Sequence, residues 1–179
     1  MKKLTALMLS LTLMLGAFAG CSSGKADDSP SPSPELTAEE RTELYVNAIT
    51  GARSEEDNTY NSIITSAQDT DADMILEMLG ITADNADAFA ISLSLMNVRA
   101  YCVALIKPAE GSEETVETGL KNFVENQKQS FEFYLADQYD IAAASILETL
   151  DDGTMMLVMS EGAEDVAAAI KTALSGSAE

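Results

Sequence analysis

The sequence predicts an α+β domain with a four-stranded, mostly antiparallel sheet: two β-hairpins, each followed by a helix, with additional helices before them. Large apolar and small residues alternate over 89–95 and again over 101–105, a period of two that is typical of strands. A second pair of apolar segments, 144–150 and 155–159, flanks Asp-Asp-Gly, in which Asp-Gly is a strong turn signal. Apolar residues at helical spacing follow each pair.

A capping box begins the first predicted helix. Thr37 stands at the N-cap position and Glu40 follows three residues later, so each side chain can bond the other's backbone N–H. Apolar residues then fall on one face up to about Arg53. The polar stretch 54–61 ends this helix.

Two shorter elements precede the first hairpin. The apolar segment 62–65 predicts either an edge strand or a tucked loop. A short helix over 72–79 is opened by Asp71 or Asp73 and stopped by Gly80. Thr82 then caps one further turn.

The register of the first hairpin decides what its faces present. Asn97-Val98 is a poor two-residue turn, because valine resists the positive φ that a type I′ turn needs. A three-residue loop, 97–99, pairs Leu95 with Tyr101 and gathers the large side chains on one face. The other face is small and uncharged, and it is our candidate binding face: Ala90, Ser92, Ser94, Ala100 and Ala104, with Cys102 among them.

Two alternatives stand beside this binding face. The first helix could pack on it, because small residues permit close approach. A register shifted by one residue would mix large and small side chains on both faces, and Leu93 beside Cys102 would be its mark.

Both hairpins lead into helices with clear start signals. Ser112 caps a long helix that carries Glu113 and Glu114 in its first turn and an apolar stripe reaching Leu135. The final helix spans about 162–174, with Gly176 just beyond its end.

The first 24 residues have the layout of a secretory leader. Two lysines precede an uncharged run of 16 residues, Leu4 to Ala19, which is shorter than the roughly 20 that a membrane-spanning helix needs. Phe18-Ala19-Gly20-Cys21 resembles the lipobox of bacterial lipoproteins, although Leu is usual where Phe18 stands. That resemblance implies a signal peptide cut before Cys21, a diacylglyceryl thioether on Cys21 and fatty acyl groups such as palmitate. The alternative is an ordinary secretory leader with an incidental cysteine.

The chain therefore divides into three parts. Residues 1–20 are the predicted lipoprotein signal peptide, and 21–36 are the lipidated cysteine with a Ser/Pro tether. Three of the four prolines fall at 29–34, so the tether should be extended and could reach roughly 40 Å. Residues 37–175 form a single α+β domain.

Composition narrows the function. The formal net charge of −20 falls to −22 when the leader and its two lysines are removed. This acidity argues against nucleic acid, whose phosphates need cationic side chains, and against a peripheral grip on anionic lipid. The predicted membrane link is therefore the lipid anchor itself, on the outer face of the cytoplasmic membrane.

No residue pattern specifies a reaction. The chain has no His, and Cys102 would be the one thiol left after lipidation of Cys21. Asp69-Thr70-Asp71-Ala72-Asp73 opens like a calcium loop, but Met74 and Gly80 stand where an EF-hand needs Gly and Glu. We therefore predict no catalytic residue, no metal and no cofactor.

Several short segments recur, in order, in one known family. They are Ala48-Ile49 with Ala52-Arg53, Ile63-Ile64-Thr65, Met74-Ile75-Leu76, Met96-Asn97-Val98, Ile106-Lys107-Pro108 and Asp137-Gln138-Tyr139. Over roughly residues 40–174 the chain resembles Firmicutes lipoproteins that carry domain of unknown function 4358. The resemblance implies a Gram-positive cell-surface lipoprotein with an α+β domain, and it supplies no activity.

The sequence leaves three functional hypotheses. The first is a lipid-anchored extracytoplasmic module that binds or scaffolds an unknown protein or cell-envelope partner. The second is an extracytoplasmic hydrolase that works through carboxylates. The third is a solute-binding accessory lipoprotein, for which the domain is small because such receptors usually enclose their ligand between two lobes.

Overall fold

The computed structural model describes residues 36–176. The predicted signal peptide, Cys21 and the tether up to residue 35 lie outside the described residues. The elements, in chain order, are α1 (Ala38–Ala52), α2 (Glu55–Tyr60), α3 (Ala72–Met78), a 3₁₀ turn (Ala83–Asn85), β1 (Ala86–Leu93), β2 (Cys102–Pro108), α4 (Glu113–Phe131), α5 (Ala136–Ala143), β3 (Ile146–Thr149), β4 (Met155–Met159) and α6 (Ala163–Ser175).

The four strands form one sheet in the order β1-β2-β4-β3, and every pairing is antiparallel. The two hairpins join through β2 and β4, which therefore lie in the centre. This confirms the predicted α+β fold with two hairpins, a helix after each, and helices before them.

Helices cover both faces of the sheet. One face packs against α3, α4 and α5 around Ile91, Ala104 and Leu157. The other packs against α1 and α6 around Ala90, Leu105 and Met156. Because both faces are buried, the central strands can be apolar along their whole length, as parallel strands more often are.

The register of the first hairpin corrects the candidate binding face. Leu93 pairs with Cys102 and Ile91 with Ala104, one residue away from the register that we predicted. The connection between the strands is longer than three residues, since β1 ends at Leu93 and β2 begins at Cys102. Large and small side chains therefore mix on both faces.

The predicted face is accordingly divided and covered. Ala90 and Ser92 point toward α1 and α6, whereas Ala104 and Cys102 point toward α3, α4 and α5. All five predicted residues (Ala90, Ser92, Ser94, Ala100 and Ala104) are buried. The hypothesis of an exposed binding face on the sheet was wrong: the structure has the register shifted by one residue, and helices cover both faces.

Two helices escaped prediction. The first is α2, which contains no buried residue and so gives no apolar periodicity; Ser54 caps it, and acidic residues fill its first turn. The second is α5. The predicted long helix ends at Phe131, and the exposed Phe133 and Tyr134 separate it from α5.

The segment 62–65 lies along the free edge of β1. Ile64 and Ile91 exchange two backbone hydrogen bonds of 2.8 and 3.0 Å. Ile64 is buried against the same core as α3. This short bridge occupies part of an edge that would otherwise expose unpaired backbone groups.

A polar cluster holds the start of α1 to the β3–β4 turn. The hydroxyls of Tyr45 and Thr154 lie 2.5 Å apart, and Thr154 donates to Asp152 through both its N–H and its hydroxyl. Asp152 also pairs with Arg41 at 2.6 Å. Burial raises the pKa of Tyr45, so its hydroxyl stays protonated. The chain thus enters the domain at this end of the sheet, and α1 ends at the other.

We predict that Gly119→Ala destabilises the domain. Gly119 lies on α4 where the α3–β1 connection crosses it, and an added Cβ would overlap the carbonyl oxygen of Leu79. Overpacking of this kind typically lowers the free energy of unfolding by about 1–3 kcal/mol. Urea unfolding of the full-length chain, followed by circular dichroism, measures the change.

Gly51→Ala is the matched control. Gly51 is also helical, but a Cβ there meets no atom within 4 Å. Alanine is the better helix former, so stability should stay constant or rise by up to about 1 kcal/mol. Equal stability of the two variants would contradict the close approach of α4.

Candidate binding cleft

A cleft of about 640 Å³ opens at the end of the sheet where β1 stops and β2 begins. Five parts of the chain line it: the end of α1 with α2, the β1–β2 connection, the start of β2, α5, and the passage from β4 into α6. Because α1 is 15 residues long, this end lies about 22 Å from where the chain enters the domain.

Arg53 forms part of the inner wall. It is the C-cap of α1, and the extended backbone there turns the chain toward α2. Its guanidinium donates to four neutral oxygens: Asn58 Oδ1 at 2.6 Å, Ser92 Oγ at 2.5 Å, Tyr101 Oη at 3.2 Å and the Asn61 carbonyl at 2.9 Å. Among the described residues, no carboxylate lies within ion-pair distance of Arg53.

Arg99 brings a second guanidinium to the same cleft. Its Nη2 pairs with Asp57 Oδ1 at 2.6 Å, and its Cζ lies 5.0 Å from the centre of the Tyr101 ring, a cation–π distance. One hydrogen bond uses only one of the five N–H groups of this guanidinium. Arg99 is 31% exposed and Asp57 18% exposed.

Tyr101 joins the two arginines. Its ring is buried beneath Arg99, and its hydroxyl accepts a hydrogen bond from Arg53. Burial raises the pKa of Tyr101, against the opposing effect of the Arg53 hydrogen bond. The phenol therefore stays neutral and adds no charge. The two guanidiniums and the Asp57 carboxylate leave the inner cluster with a formal charge of +1.

Ser160, at the end of β4, carries an unsatisfied hydroxyl. The residue is 8% exposed, and its buried Oγ has no hydrogen-bond partner. Buried polar atoms in native proteins are nearly always paired, so such an atom beside a cleft is a notable exception. Ser160 lines the cleft, so this hydroxyl is available to a ligand that reaches it.

Apolar side chains complete the walls. Met96 and Val98 from the β1–β2 connection, Ile141 from α5 and Val166 from α6 all line the cleft. The Gln138 side chain accepts a hydrogen bond of 2.8 Å from the backbone of Ala100 and so ties α5 to the β1–β2 connection.

Exposed apolar residues continue beyond the cleft. Leu95, Phe133 and Tyr134 are exposed, and the Tyr134 hydroxyl donates to the carbonyl of Asn97, which lies between Met96 and Val98, at 3.3 Å. The two acids at the rim, Glu56 and Glu161, are exposed.

A model of one protein family matches residues 61–160, and its description is Domain of unknown function (DUF4358). The chain belongs to this family. No curated protein matches the chain, and no solved structure matches it. The DUF4358 match contains Arg99, Tyr101 and Ser160 of the cleft, whereas Arg53 and Asp57 precede it.

The residues singled out from sequence fare differently in this DUF4358 chain. Cys21 lies outside the described residues. Ala100 lines the cleft, whereas Ser92 does not line it and is linked to it only by accepting the Arg53 hydrogen bond. Ala90, Ser94 and Ala104 are not among its lining residues.

Sequence reasoning missed Arg53, Asp57, Arg99, Tyr101 and Ser160. One signal was available: the chain has only three arginines among 30 acidic residues. Two of the three meet at this cleft, and the third, Arg41, pairs with Asp152 at the other end of the sheet. The unpaired hydroxyl of Ser160 gives no signal in sequence.

The cleft is equipped for recognition. It offers free guanidinium N–H groups, one unsatisfied hydroxyl and apolar walls.

Within residues 36–176, no group of three His, Cys, Asp or Glu side chains could hold a metal ion, and none of the helices has the length and apolar character of a membrane span. Cys102 lies outside the cleft, on the α3–α5 side of the sheet.

We predict that Cys102 is inert in the folded DUF4358 domain. Its side chain is completely buried, and burial raises the pKa of the thiol far above its usual range, so little thiolate forms. In the Cys21→Ser chain, Cys102 is the one remaining thiol. Iodoacetamide should modify it much more slowly in native protein than in urea.

Cys102→Ala should keep the fold, with a loss of about 1 kcal/mol, at the mild end of core truncations. Fast alkylation of the native chain would show an accessible thiol and contradict the burial.

Proposed function

We propose that this DUF4358 protein is a lipid-anchored binding module on the outer face of the cytoplasmic membrane of a Gram-positive bacterium, and that the cleft receives its ligand or partner. The cleft at Arg53, Arg99 and Ser160 carries this proposal. It combines a buried hydroxyl without a partner and guanidinium N–H groups that the domain leaves unused.

The anchor part of the proposal rests on the lipobox-like Phe18-Ala19-Gly20-Cys21. Two acyl chains hold a protein stably at a bilayer, whereas one binds only marginally. A chain this acidic gains nothing from anionic headgroups, so covalent lipid is the attachment that fits its charge.

The position of the cleft suits a tethered module. The described chain begins at Leu36, next to the end of α1 that Arg41 holds to Asp152. The cleft lies at the opposite end of α1. Attachment at the first end and recognition at the second would therefore involve separate parts of the domain.

The hydrolase alternative finds no support in the acids of this cleft. Acid–base catalysis by carboxylates needs two of them facing each other, with one held protonated at neutral pH. Of the cleft acids, Glu56 and Glu161 are exposed, and Asp57 is bound to Arg99. Recognition therefore accounts for this set of side chains better than hydrolysis does.

We predict that Cys21→Ser abolishes lipidation. Cells grown with labelled palmitate should label the wild-type protein and leave the variant unlabelled, as uncleaved precursor or as protein without lipid. Cys102→Ser is the matched control, and it should keep the label because Cys102 is buried within the domain. Label on Cys21→Ser, or none on wild type, would contradict the anchor.

We also predict that the cleft contacts a partner in cells. A photo-crosslinking amino acid at Val98, which is half exposed and lines the cleft, should give specific products in native membranes. The same group at the exposed Glu110 is the control. Arg99→Gln should weaken the products at Val98, whereas Arg41→Gln, which breaks an equally short ion pair away from the cleft, should not. If Arg99→Gln leaves the yield of crosslinked products at Val98 unchanged, the cleft is not the partner's binding site.

A further inference from the structure

We propose that the cleft recognises a single carboxylate carried on a small apolar body, as in the C-terminus of a short apolar peptide or a small organic acid. This inference rests on the proposed function, because it takes the cleft as the binding site. It assigns the chemical class of ligand that the side chains fit.

Charge is the first argument. The inner cluster of Arg53, Asp57 and Arg99 has a formal charge of +1 inside a strongly acidic protein. Arg53 is partly buried, yet its partners are all neutral oxygens. A ligand with one negative charge would neutralise the cluster.

The formal charge of the inner cluster also argues against a phosphate ligand. A phosphate monoester carries about −1.5 to −2 charges at neutral pH, more than the cluster can neutralise. Asp57 and the rim acids Glu56 and Glu161 would repel the excess. A monocarboxylate carries less charge and therefore meets weaker repulsion from the same acids.

Hydrogen bonding is the second argument. Arg99 has four N–H groups beyond the one that binds Asp57, and a guanidinium matches the two oxygens of a carboxylate. The Ser160 hydroxyl is buried without an acceptor. A carboxylate or peptide oxygen in the cleft would give it one.

The apolar walls of the cleft indicate the character of the rest of the ligand. Met96, Val98, Ile141 and Val166 present apolar surface around the polar groups. A volume of about 640 Å³ lies within the range of small-molecule sites and is large enough for a short peptide end. A body of a few apolar groups would bury that surface.

Equilibrium dialysis tests the ligand class with the full-length lipidated protein in lipid nanodiscs, against empty nanodiscs. The probe is labelled N-acetyl-Ala-Leu with a free carboxylate, and its C-terminal amide is the uncharged control. Hexanoate is the second acid. We expect saturable binding of at least one acid, and binding of the amide weaker by roughly tenfold or more, because it lacks the charge.

The two acid probes distinguish a peptide C-terminus from a small organic acid as the source of the carboxylate. Binding of the peptide acid alone supports a peptide terminus, and binding of hexanoate as well supports small organic acids. Equal binding of the peptide acid and its amide, stronger competition by inorganic phosphate, or no saturable binding of either acid would overturn the proposal.

Variants locate the binding. Ser160→Ala should weaken binding of the acid by roughly 10–100-fold, which corresponds to the loss of a hydrogen bond to a charged group. Its unfolding midpoint in urea should not fall, because the hydroxyl has no partner to lose. Ser175→Ala, at the far end of α6, should change nothing.

Arg99→Gln should weaken binding of the acid at least as much. Arg99→Lys should recover part of the lost affinity, since lysine keeps the charge without the planar guanidinium. Arg41→Gln is the matched control at the other end of the domain. Unchanged affinity in both Ser160→Ala and Arg99→Gln would overturn the site. If the acids fail to bind while crosslinking from Val98 persists, the ligand class is wrong and the binding module stands.

Discussion

The register between β1 and β2, with Leu93 opposite Cys102, is the constraint on which the rest of the domain depends. It places large and small side chains together on each face, so neither face can be left to water. Two helical layers are then required: α1 and α6 on one side, and α3, α4 and α5 on the other. The cleft forms where the ends of these layers meet the C-terminal ends of β1 and β4.

Periodicity was enough to predict the strands, the two hairpins and the helices that follow them, because each buries one repeated set of side chains. The register was not predictable, because it depends on the long connection 94–101, which has no recognisable turn signature. The alternation of Ala and Ser along β1 is equally compatible with an exposed face and with a closely packed helix. Close packing wins here, where Ala48 and Ile49 of α1 share a core with Ala88 and Ala90.

The cleft was harder to predict than the fold, and the reason is distance along the chain. Arg53 and Arg99 are separated by 46 positions, and Ser160 follows 61 positions after Arg99. Asp57 comes from α2, a helix with no apolar face and therefore no periodic signal. The unused hydroxyl of Ser160 is a property of packing, so only the three-dimensional arrangement can show it.

The covered sheet face and the cleft are linked by Arg53. Small residues along β1 let α1 approach closely, and the guanidinium of Arg53, the C-cap of α1, donates to the Ser92 hydroxyl at 2.5 Å. A partly buried guanidinium without a carboxylate is costly unless other groups compensate its charge. Four neutral oxygens satisfy its hydrogen bonds but leave its charge in place. The burial that removes the sheet face as a binding surface thus places, at its end, a guanidinium without an acidic partner, which is the group that a carboxylate ligand would pair with.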